Sequence, residues 1–78
     1  MAGDIHELRA ELHAAEVALA GREEMLEIAR IGARYAQDDD EEAAAAARLA
    51  QLQDALDRAQ ALVDGLSGRL AEEIRRRG

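Results

Sequence analysis

The sequence predicts an all-α fold, an antiparallel two-helix hairpin of coiled-coil type. Three observations carry that prediction. The 78 residues include 19 Ala, 10 Leu, 10 Glu and 10 Arg, with no Pro, Cys, Phe or Trp, a composition of long helices rather than sheets. Two series of apolar residues advance in alternating steps of three and four, the spacing of a coiled-coil seam. The acidic run Asp38-Asp39-Asp40-Glu41-Glu42 separates the two series, and they match one another in mirror order about it.

Helix 1 is expected over about residues 4–36. Asp4 followed by Glu7 has capping-box spacing: the Asp carboxylate accepts an orphan backbone N–H and the Glu reaches back. The seam then runs Ile5, Leu8, Leu12, Ala15, Leu19, Arg22, Leu26, Ala29 and Ala33. Arg22 is its one charged member, opposite Leu56. Its stem is expected to pack while its head reaches solvent or pairs with Asp57, or the charge serves to fix register. Periodicity fades at Ala36-Gln37, which places the turn at about 37–40.

Helix 2 is expected over about 41–77. Asp38 with Glu41, or Asp39 with Glu42, supplies the N-cap and N3 pair, and the remaining acids favour the positive end of the helix dipole. Five alanines, Ala43 to Ala47, lead into the second seam: Ala45, Leu49, Leu52, Leu56, Ala59, Val63, Leu66 and Leu70, with Ile74 just beyond. Arg75, Arg76 and Arg77 close the helix, and Glu72–Arg76 and Glu73–Arg77 have ion-pair spacing. A turn centred near Asp39 sets Leu26 opposite Leu52, Leu12 opposite Leu66, Leu8 opposite Leu70, Leu19 opposite Ala59 and Ala15 opposite Val63. Large residues meet small ones or paired leucines, which interdigitating packing requires. Residues 1–78 thus form one helical hairpin and one domain. Gly21, Gly32, Gly65 and Gly68 each cost roughly 1 kcal/mol inside a helix. They are either tolerated weak points or places where helices approach closely.

Several function classes are excluded by the same residues. A net charge of −7 disfavours direct binding to nucleic acid or to an anionic membrane surface. No apolar run approaches the roughly 20 residues that cross a bilayer. Met1-Ala2-Gly3-Asp4 lacks the basic and apolar regions of a signal peptide, so a cytoplasmic location is expected. With no Cys, one Ser (Ser67) and no glycine-rich phosphate loop after a strand, no enzymatic activity and no cofactor are expected. His6 and His13 are seven apart, too far to share one metal ion.

Two surfaces remain as candidates. On the side of helix 1 away from helix 2, Val17, Ala20, Glu24, Ile28, Ile31 and Tyr35 repeat by three and four. A lone hairpin has no use for apolar side chains there, so Val17, Ile28, Ile31 and Tyr35 are expected to form a partner interface. The second surface is the acidic tip, Asp38, Asp39, Asp40, Glu41 and Glu42, suited either to capping or to a protein partner. No metal is expected there, because the glycine and distal glutamate of an EF-hand loop are missing.

The length, the hairpin, the acidic turn and a short Leu8-Arg9-Ala10-Glu11-Leu12 stretch resemble the N-terminal coiled coil of Gre-type transcript-cleavage factors. In that family the tip acids enter an RNA polymerase channel. The likeness is architectural: Asp38 to Glu42 departs from the family's Asp-Leu-x-Glu-Asn-Ala-Glu-Tyr tip, and the second globular domain is missing.

The leading expectation is a non-enzymatic protein–protein interaction module, a coiled-coil hairpin that homodimerises into a four-helix bundle. The alternative is a small acidic regulator or inhibitor of a nucleic-acid-handling machine, acting through the tip or as a nucleic-acid mimic. A third is a designed helical scaffold without a biological role.

Overall fold

The computed structural model describes residues 2–78, with side chains described from Ile5 onward. Helix α1 spans Ala2–Ala33 and helix α2 spans Asp39–Arg77; there is no strand among the described residues. The Asp4 side chain proposed as a cap lies outside the described side chains, and the α1 backbone is already helical at Ala2. At 1.5 Å per residue the 39 residues of α2 measure about 58 Å. The molecule is 59 Å long and only 14 by 13 Å across, so α1 lies alongside α2. A single continuous helix would run about 115 Å.

The reversal is built without a left-handed residue, since no described residue has positive φ. The end of α1 tightens through three short-range bonds: Arg34 N–H to Ile31 O (3.2 Å), Tyr35 N–H to Gly32 O (3.1 Å) and Ala36 N–H to Ala33 O (3.3 Å). Such i to i−3 bonds satisfy carbonyls that a helix end leaves orphaned. Asp38 is extended (φ −143°, ψ 172°) and caps α2. The helix therefore starts at Asp39, and Asp39 and Asp40 belong to its first turn rather than to the loop. At the far end the Gly78 N–H closes on Ile74 O at 2.9 Å.

Burial follows the seams. Leu8, Ala15 and Leu26 are buried on α1, with Ile5, Leu12, Leu19, Ala29 and Ala33 half-buried. On α2, Val63 and Leu66 are buried, and Ala45, Leu49, Leu52, Leu56, Ala59 and Leu70 are half-buried. One core cluster joins Leu8, Ala15, Val63 and Leu66, with Leu12, Leu19 and Leu70 packed against it. It holds both members of the layers Leu8–Leu70, Leu12–Leu66 and Ala15–Val63. No described side chain is less than 2% exposed, because each helix has only one neighbour and a single stripe is shielded.

Two details depart from the seam pattern. Arg22 is exposed, and no ion pair links it to Asp57, which instead accepts from Gln53 Nε2 at 3.0 Å. A guanidinium in that layer gains more from water than from a half-open core. At the end of α2, a step of three from Leu70 reaches Glu73, which is half-buried. Its carboxylate meets Arg76 at 3.6 Å and Arg77 at 3.5 Å, and Arg76 also lies 3.9 Å from Glu72. Ile74 is rotated off the seam and left 45% exposed.

The mirror-order pairing has a direct consequence for distance. Spin labels at Arg9 and Arg69 of one chain, diluted with unlabelled chains, are expected to report a separation below about 20 Å. A continuous helix would put the same positions about 90 Å apart.

Candidate functional site

The apolar side chains placed on the outer side of α1 are wet in the single hairpin. Val17 is 60% exposed, Ile28 59%, Ile31 46% and Tyr35 74%. Helical spacing sets Val17, Ile28 and Ile31 along one side of α1, and Tyr35 stands exposed in the turn two residues past its end. Two further large apolar residues, Met25 and Leu62, are also exposed. Each sits one residue before a seam position, Leu26 and Val63. Their signal in the sequence is a large apolar residue directly beside a seam residue, where coiled coils commonly carry charge. Leu62 borders a groove of about 490 Å³ between the helices, lined by Ala14, Ala15, Ala18 and Leu66 with Glu11 and Arg69 at its edge.

The total surface is large for the mass. The chain exposes 5810 Å² for 8.5 kDa, whereas a globular monomer of that mass exposes about 4,700 Å². The excess follows from the rod-like shape, 59 Å by 14 by 13 Å, in which each helix has one neighbour.

The acidic tip is organised by the backbone it caps. Asp38 Oδ1 accepts from Glu41 N–H at 2.7 Å, and Glu41 Oε2 accepts from Gln37 N–H at 2.8 Å. This is a reciprocal capping box, with the Glu bonding one residue before the cap. Asp39, Asp40 and Glu42 follow in the first turn of α2, where the helix dipole favours negative charge. Two of the five carboxylates are thus engaged locally. Among the described residues no three His, Asp or Glu side chains are placed to hold one metal ion. Replacing Asp38 with Ala is expected to cost about 1 kcal/mol in urea unfolding. Millimolar Mg²⁺ or Ca²⁺ is expected to shift the melting temperature no more than matched ionic strength does. A saturable calorimetric isotherm lost in an Asp38, Asp39, Asp40 to Asn variant would contradict that.

The open end of the hairpin carries a charged depression of about 350 Å³, lined by Glu7, Glu11, Arg69, Glu72, Glu73 and Arg76 around Leu8. Four glutamates and two arginines supply its charge, and its lining contains no nucleophile beside a base. His6 and His13 are exposed. Among the described residues no helix is long and apolar enough to cross a membrane. The fold thus defines a helical hairpin with an unpartnered apolar side and a capped acidic tip. Comparison with protein-family models, curated proteins and solved structures finds no match.

Proposed function

We propose that this chain is a protein–protein interaction module that homodimerises, two hairpins forming a four-helix bundle through the apolar side of α1. The observation that carries this reading is the exposure of Val17, Ile28, Ile31 and Tyr35 in the single hairpin. Large apolar side chains gathered on one exposed side, here broken only at Glu24, mark a contact surface in soluble proteins. A second copy is the partner this reading favours, because identical surfaces pairing about a two-fold axis are the commonest oligomer. The thin core supports it as well, since hairpins of this size seldom fold without a partner or a staple.

On this reading the acidic tip is an N-cap and solvating end rather than the contact. Thermal unfolding tests the proposal. The midpoint is expected to rise with chain concentration, as mass action requires when folding and association are linked. Neutralising the first turn with Asp39→Asn, Asp40→Asn and Glu42→Gln is expected to leave that dependence in place. A midpoint independent of concentration between micromolar and millimolar chain would count against the dimer. Loss of association in the tip variant would transfer the contact to the acids.

A further inference from the structure

The side of α1 that faces the groove holds a second heptad seam. Moving each seam residue from Ala15 to Ala29 back by one reaches Ala14, Ala18, Gly21, Met25 and Ile28, and the series continues to Gly32, with Tyr35 just past the end of α1. Every member is apolar or glycine. One residue is about 100° of helical turn, close to the right angle between the two neighbours of each helix in a square four-helix bundle. Ala14 and Ala18 line the groove, while Met25, Ile28 and Tyr35 stand exposed. A Cβ built on Gly21 or Gly32 meets nothing within 4 Å, so nothing in the single hairpin requires glycine there.

We infer that α1 pairs with α1 of a second copy, antiparallel and centred on Gly21, so that the two acidic tips lie at opposite ends of the bundle. This rests on the homodimer proposed above and specifies its orientation and register: Ile28 lies in the seam, and Val17 and Ile31 flank it on the outer side. The seam is self-complementary in that register. Ile28 faces the partner's Ala14, Met25 faces the partner's Ala18, and Gly21 faces the partner's Gly21, where the absent side chains let the backbones approach. On α2 the same two-fold falls level with Asp57, setting Leu62 against the partner's Gln51 and Arg58 against the partner's Ala55. That row is mostly polar, and Arg58 is held to Asp54 at 3.0 Å, so the contact is centred on α1.

The opposite orientation, with both tips at one end, sets α1 against α2. It places Ile28 against the partner's Gln51 and Gly21 against the partner's Arg58. It also gathers two copies of the five-acid run Asp38 to Glu42 at one end of the bundle. Tips apart, each acidic run lies instead at the partner's open end, where Arg69, Arg75 and Arg76 stand among Glu7, Glu11, Glu72 and Glu73, so the two runs no longer repel one another.

The full chain labelled at Asp39 alone tests the inference, with molar mass measured on the same sample. The expected result is a dimer with an intermolecular label separation of about 50 Å, from 1.5 Å of rise per residue on either side of Gly21. A dimer with labels closer than about 25 Å overturns the orientation and leaves the homodimer standing. A monomeric mass overturns both. Gly21→Leu supplies a second readout, because the single chain has open space there: helical content is expected to hold while the dissociation constant rises at least tenfold. Gly68→Leu, on the outer side of α2, is expected to change it less than threefold. Equal effects from the two substitutions would remove Gly21 from the contact.

Discussion

Replacing Ile28 and Ile31 together with Glu is expected to yield monomers at concentrations where the parent chain is dimeric. About half of each side chain is still wet in the lone hairpin, 59% and 46% respectively, so completing their burial contributes roughly 1 kcal/mol apiece. Four such positions per dimer make about 4 kcal/mol, near a thousandfold in dissociation constant. The carboxylates add a desolvation cost on top. Sedimentation equilibrium is expected to show the mass falling by half and the concentration dependence of the melting midpoint disappearing. An unchanged mass in the double variant would remove this side of α1 from the contact.

The second large effect is inside the hairpin. Leu26 is the most shielded apolar side chain described, at 3% exposure, and it sits in the layer expected to contain Leu52. Leu26→Ala is expected to cost about 2–4 kcal/mol in urea unfolding at fixed chain concentration. That is a large share of the ~5–15 kcal/mol available to a small domain. Leu62→Ala offers the contrast: Leu62 is 56% exposed, so the expected change within one hairpin is below about 1 kcal/mol. A loss below about 1 kcal/mol at Leu26 would mean that α1 and α2 do not meet along the predicted seam.

These residues also show what the sequence discloses and what it does not. The two seams were legible because a period of three and four survives any uncertainty at helix ends. Of the nine α1 seam positions, only Arg22 is exposed, and it was the one charged member. The far end of α2 was harder to read. Hydrophobicity favoured Ile74, whereas the heptad step from Leu70 lands on Glu73, and geometry prevailed because two arginines neutralise that carboxylate. The tip cap had two candidates at equal spacing, and only backbone conformation selects Asp38 over Asp39. Met25 and Leu62 escaped notice because each adjoins a seam residue and resembles part of it. Their separate direction becomes visible once the helices are paired and the 100° between adjacent residues acquires a meaning.

Light scattering on the unmodified chain is the most direct test of the central claim, that the apolar side of α1 is a self-association surface. With 8.5 kDa per chain, the expected result at tens of micromolar is the mass of two chains, about 17 kDa. A mass of one chain across that range, with helical content intact, would contradict the claim.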